Sequence, residues 1–153
     1  MINAKPELFG VKPIEFIIDF ESEAFVEIAG NHYLFKVGEL IGPQMQLYQE
    51  TERKLPLEDE YTRTYYRTIN IKIPKGYHVA NANDINIDHS FSKDGKKVLM
   101  FKSFYEIEGD ILKITADEFY YITKISKEFY EDYRTVINSA ADFNKVTLVL
   151  EAD

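Results

Sequence analysis

Neither cysteine nor tryptophan occurs among the 153 residues. The first absence removes disulfides, thiolate metal ligands and any thiol nucleophile. It fits either redox compartment, because exported domains need disulfides only when their cores are too small to hold them together. The second removes the ring best suited to stacking on sugars. Histidine is scarce: His32, His78 and His89 have no partner at the i+2 or i+4 spacing of a zinc pair, apart from the Asp88-His89 neighbours, so neither zinc binding nor His-based catalysis is expected. The seven glycines stand singly at turns and form no phosphate cradle, and no Gly-x-Ser-x-Gly elbow exposes a serine. Basic residues number 18 against 26 acidic, a net charge of -8 that opposes a phosphate backbone and argues against nucleic acid as a partner. No apolar run approaches the length of a membrane span, and the N-terminus lacks the basic start, apolar stretch and small-residue cleavage site of a signal peptide.

What is present is a core-forming composition. Hydrophobic residues make up 45% of the chain and aromatics 14%, enough to bury a core within one ordinary domain. Period-2 alternation dominates the pattern. Met1 to Lys12 is weakly periodic and broken by Pro6 and Gly10, so it reads as a lead-in. From Pro13, Ile14, Phe16, Ile18 and Phe20 alternate with Glu15, Ile17, Asp19 and Glu21, which predicts a half-buried strand. Ala24, Val26 and Ile28 continue it, and Gly30-Asn31 offers a hairpin turn into His32 to Val37. Glu50 to Glu60 is charge-rich, contains Pro56 and reads as a surface connection.

Beyond that connection, Thr62 to Ile73 predicts a long strand with Tyr65, Ile69, Ile71 and Ile73 on one face, ended by Pro74-Lys75-Gly76. A strand pair is expected over Tyr77 to Asn81 and Ile85 to Phe91. Asp94-Gly95 then marks a hairpin before Val98 to Ile107, with Leu99, Phe101, Tyr105 and Ile107 sharing a face. Ile111 to Lys124 places Leu112, Ile114, Ala116, Tyr120 and Ile122 together. At Ser126, an expected N-cap, the period changes from 2 to 3.6, and Phe129, Tyr133, Val136, Ile137 and Ala140 form one apolar helical stripe. Val146 to Leu150 closes the chain as a continuous apolar strand. The expected fold is mainly β: an antiparallel, sandwich-like domain with one C-terminal helix followed by a final strand. It divides into a lead-in segment (1–12), N-terminal strands and connection (13–60), and a C-terminal β domain (61–153) whose helix spans 127–141 and which packs as one unit with 13–60.

Several landmarks recur in a fixed order: Ile73-Pro74-Lys75-Gly76-Tyr77-His78-Val79, Phe101-Lys102-Ser103-Phe104-Tyr105, Phe119-Tyr120-Tyr121, and Val136 to Phe143 before Val146 to Leu150. This order resembles the C-terminal domain of unknown function that follows the papain-like core of large bacterial transglutaminase-like proteins. The resemblance covers roughly the last 90 residues, and Ala24 to Pro56 is similar to the region that precedes them in those proteins. It implies an accessory domain of an exported or periplasmic multidomain protein, whose partners are the other domains of its own parent. It carries over no catalytic, cofactor-binding or metal-binding residue, and the cysteine that such a core uses is absent here.

Three local features invite a chemical reading. Asp84, Asn86 and Asp88 alternate as oxygen ligands suited to Ca²⁺, but the interleaved Ile85 and Ile87 suit a strand whose polar face is solvated, and the glycine turn and distal glutamate of a calcium loop are missing. Glu106, Glu108 and Asp110 crowd one turn, where paired acid and base work needs a cleft and a hairpin needs only water. Aromatic rings cluster at Tyr61, Tyr65 and Tyr66 and again at Phe119, Tyr120 and Tyr121. Because neighbouring residues on a strand point to opposite faces, each cluster should turn at least one ring away from the core. Tyr61, Tyr66 and Tyr121 are therefore the candidate interaction surface. No catalytic residue, cofactor site or metal site is assigned. The expected function is a non-catalytic accessory or protein-interaction domain, and the alternative is a carbohydrate-binding β-sandwich module with a sugar ligand.

Overall fold

A computed structural model describes every residue from Met1 to Asp153. In chain order the strands are β1 (Val26–Ala29), β2 (His32–Phe35), β3 (Leu57–Glu58), β4 (Arg63–Lys72), β5 (Tyr77–Val79), β6 (Ile87–Lys93), β7 (Lys96–Glu108), β8 (Ile111–Tyr120), β9 (Lys124–Ile125) and β10 (Leu148–Ala152). The helix α1 (Tyr130–Asn144) lies between β9 and β10. Every strand pairing is antiparallel, and the fold is mainly β with one C-terminal helix before the final strand.

The larger sheet runs β4-β8-β7-β6. It is a meander because each turn between β6, β7 and β8 is only two residues long. Asp94 and Gly95 both adopt positive φ (51° and 74°), the conformation of a turn whose twist matches the flanking strands. A second sheet runs β1-β2-β10-β5, so the last strand enters between two earlier ones and ties the end of the chain to both. The ribbon β3-β9 completes the framework.

One buried cluster serves all of these layers. Leu99 and Phe101 of β7 and Leu112, Ile114 and Ala116 of β8 point to the same face of the larger sheet. There they meet Tyr133, Val136, Ile137, Ala140 and Phe143 of α1, with the Phe101 and Phe143 rings 5.9 Å apart. Val37, Leu148 and Leu150 bring the second sheet and its following turn into the same cluster. Gly38 allows the closest approach: a β-carbon there would sit 2.0 Å from the Phe143 carbonyl oxygen at the end of α1. Three asparagines pin the loops around this core. Asn138 bonds both the amide and the carbonyl of Leu47, Asn144 donates to the carbonyls of Gly38 and Gly42, and Asn81 bonds Thr147 and Val149.

Four expectations need correction. The stretch from Ile14 to Phe20 is extended but belongs to no sheet, and its only pairing is a single bridge between Ile2 and Glu15. Its alternation identifies a strand, yet a strand needs a neighbour to bond its backbone, and none is supplied. Tyr77 to Val79 pairs with β10 rather than with the following strand, because a 3₁₀ turn over Ala82–Ile85 separates it from β6. The charge-rich Glu50 to Glu60 connection is not wholly superficial, since Leu57 and Glu58 pair with Ile125 and Lys124. The helix itself begins at Tyr130 after a 3₁₀ turn, Ser126 makes no capping bond, and Phe129 lies outside the buried stripe at 38% exposure, beside the Phe91 ring.

Candidate functional site

The inner face of the larger sheet changes character along its length. Toward Ile71 and Leu112 it is apolar, but β4 and β8 then place Arg63, Tyr65 and Arg67 opposite Tyr120, Glu118 and Ala116. Strict alternation puts all of these on the core side. Glu118 is only 2% exposed. A carboxylate so deep must be paired, and both of its oxygens have a partner: Oε1 forms an ion pair with Arg67 Nη2 at 2.7 Å, and Oε2 accepts from the Tyr120 hydroxyl at 2.6 Å. Arg63 donates to Asp59 Oδ2 at 3.2 Å, and the Tyr133 hydroxyl of α1 donates to the same oxygen. The guanidiniums also lie over rings, Arg63 above Tyr120 at 4.5 Å and Arg67 above Tyr65 at 4.8 Å.

This network borders a cavity of about 330 Å³ between the sheet, α1 and the loop Gly42 to Met45. Burial, with the Glu118 charge adding to it, pushes the Tyr120 hydroxyl far above the ordinary tyrosine range. Burial and the Asp59 charge likewise raise Tyr133. Both phenols therefore stay protonated as donors to their carboxylates. Arg67 Nη1 is buried with no hydrogen-bond partner.

The signal for this site was parity. Glu118 falls between Ala116 and Tyr120 on the apolar face of β8, and Arg63 and Arg67 share parity with Ile69 and Ile71 on β4. Asp59, which lay in the stretch read as a surface connection, carried no such signal.

The opposite face of the sheet holds the outward aromatics. Tyr65 turns inward and Tyr66 outward, while Phe119 and Tyr121 project outward on either side of the inward Tyr120. The Phe119 and Tyr121 rings are stacked, with centroids 4.4 Å apart and planes at 13°. Interaction with the Tyr121 hydroxyl raises the Tyr66 phenol above its ordinary range. Tyr61, exposed in the bend before β4, takes part in no ring pair.

The third feature is the arm from Ile14 to Phe20. Phe16, Ile17, Ile18 and Phe20 are each more than half exposed, and the backbone from Phe16 to Phe20 makes no hydrogen bond to the rest of the chain. An apolar, extended and unpaired segment is the chemical opposite of a solvated loop.

The remaining candidates are dispersed. Asp84 lies in the 3₁₀ turn and bonds Asn81, whereas Asp88 lies on β6 and pairs with Lys102, so the expected single strand face carrying Asp84, Asn86 and Asp88 does not form. Glu106 pairs with Lys113 across the inner strands β7 and β8, and Asp110, in the turn between them, pairs with Lys72. His89 does meet a serine, with Nδ1 2.7 Å from the Ser139 hydroxyl, but that hydroxyl donates to the Thr135 carbonyl. His89 is therefore the donor in this contact and takes no proton from the serine. No helix is long and apolar enough to cross a membrane.

Comparison with curated proteins and with solved structures gave no match. A family model does match, from Tyr33 to Leu150, and it describes a domain of unknown function with solved structure, DUF3858. That stretch contains the whole of the larger sheet with both of its faces, the network around Glu118 and the helix, and leaves the arm and β1 outside it. Because the match spans well over half of the sequence, the chain belongs to the DUF3858 family.

Proposed function

We propose that this chain is a non-catalytic accessory domain of a bacterial, exported or periplasmic transglutaminase-like protein, and that it works by docking against other domains of its parent. The observation that carries this reading is the arm from Ile14 to Phe20, a strand-patterned segment with exposed side chains and an unpaired backbone. Left in water, such a segment is an aggregation hazard. Adding it to the edge of a neighbouring sheet bonds its backbone and covers its apolar side chains in one step. The order of landmarks from Arg63 to Leu150 supports the choice of parent, and the outward Tyr66, Phe119 and Tyr121 offer a second contact surface of rings that bury area at low entropic cost.

A sugar-binding role draws on the same outward rings. It is the weaker reading because Phe119 and Tyr121 spend facing surfaces on each other, which leaves fewer open ring faces for a pyranose.

The test is a titration of the fluorescently labelled chain with the separately expressed transglutaminase-like core of its parent. Saturable binding is expected, weakened by Phe16→Ser and Ile18→Ser together. Absence of binding, equal binding by the double variant, or turnover of a glutamine-containing peptide by the chain alone would overturn the proposal.

A further inference from the structure

We infer that the cavity beside Arg63 and Arg67 is a binding site for a monoanionic carboxylate carried on a short apolar stem. The inference is independent of the arm and goes beyond docking.

The hydrogen-bond inventory points to an acceptor. Two guanidiniums bring ten N–H donors between them. Asp59 takes one from Arg63, Arg67 Nη2 stands in an ion pair with Glu118 Oε1, and Arg67 Nη1 is buried and unpartnered. Glu118 has no oxygen without a partner, since Oε1 is held by Arg67 and Oε2 by Tyr120. The capacity left over is on the donor side, so the group that completes it is an oxygen acceptor. The planar fork of an arginine matches the two oxygens of a carboxylate.

Charge selects among anions. Arg63 and Arg67 are already balanced one for one by Asp59 and Glu118, and the chain as a whole carries -8. A bound monoanion leaves these paired charges at a net -1 and a dianionic phosphate would leave them at a net -2, so the smaller charge is the one that redistributed donors can hold. The walls decide the rest. Ile41, Pro43, Met45 and Ile137 line the cavity opposite the polar floor, and its volume of about 330 Å³ admits a stem of a few carbons. The same chemistry is offered by a free short-chain acid and by a glutamate side chain on a polypeptide.

The chain has no tryptophan, so Met45→Trp, at an exposed position on the cavity rim, gives a single reporter. Butyrate should change its emission saturably, and butyramide, phosphate and chloride should not. Arg67→Lys in the same background should weaken butyrate by roughly tenfold, because an ammonium cannot present the fork. Should Arg67→Lys fail to fold, the arginine side-chain N–H resonances of the unmodified protein provide the second readout, with those of Arg67 moving on addition of butyrate. An acetylated, amidated Ala-Glu-Ala peptide that binds as well as butyrate identifies a polypeptide source, and a response to the free acid alone identifies a small molecule. A response to butyramide equal to that for butyrate, or no saturable response together with unmoved Arg67 resonances, overturns the inference.

Discussion

Two segments of this chain carry the same alternating pattern and meet opposite fates. Ile111 to Tyr120 is strand β8, paired along its whole length with β4 on one side and β7 on the other, and its inward residues are buried. Ile14 to Phe20 is as apolar and as regular, but it has one bridge and stands open to solvent. Period-2 patterning states that a segment has two faces. It does not state where the neighbour comes from. For β8 the neighbours lie within the same chain, at two-residue turns or across the Lys72 to Ile111 connection. For the arm, we propose that the neighbour is another domain.

Substitutions at matching positions in the two segments should separate them. The largest difference is expected for the acidic residues. Glu118→Leu strands the Arg67 guanidinium and the Tyr120 hydroxyl, and loss of one partner of a buried pair costs about 3–5 kcal/mol, whereas Asp19→Leu in the arm should leave the denaturant midpoint almost unchanged. Next are the aliphatics: Ile114→Ala opens a cavity in the core at a cost of about 2–5 kcal/mol, and Ile18→Ala should stay within about 0.5 kcal/mol by the same measurement. Equal losses in the two segments would mean that the arm is packed in solution.

A smaller effect is expected where the helix meets the second sheet's turn. Gly38→Ala places a methyl group against the Phe143 carbonyl and should cost about 1–3 kcal/mol, seen as a lowered melting temperature. Gly30→Ala has open space around its β-carbon and would report only the strain of its positive φ.

The smallest effect is a dependence on alkaline pH in which β8 takes part through Tyr120 and the arm, which has no tyrosine, does not. The folded-state pKa of Tyr120 lies above its unfolded value, so the folded chain binds the phenolic proton more tightly. The associated stability is complete below the unfolded pKa of about 10 and is lost as pH climbs above it. Tyr120→Phe should reduce that alkaline loss in urea titrations, leaving the smaller contributions of Tyr133, Tyr66 and Tyr77, which are shifted in the same direction. An unchanged alkaline slope in the variant would remove Tyr120 from the explanation.

Much of the fold was legible because local rules and tertiary pairing agree over most of the chain. The hairpins at Gly30-Asn31 and Asp94-Gly95, the strands β4, β7 and β8, the helical stripe through Tyr133, Val136, Ile137 and Ala140, and the final strand all follow from period and turn chemistry. The insertion of β10 between β2 and β5 was not legible, since partners more than 60 residues apart leave no local trace. The polar network was half legible. Parity put Glu118, Arg63 and Arg67 on the inner face, but reading apolar faces by their apolar members passed over them. Asp59 reaches Arg63 and Tyr133 only because β3 pairs with β9, a contact that its charged surroundings conceal.

The most direct test of the central claim is amide hydrogen exchange at Phe16 to Phe20, measured in the free chain and again with the transglutaminase-like core that we propose as its partner bound. The account expects fast exchange in the free chain, in contrast to slow exchange along β8, and strong protection of the same amides in the complex. Protection already present in the free chain, or exchange that stays fast in a complex known to have formed, would contradict it.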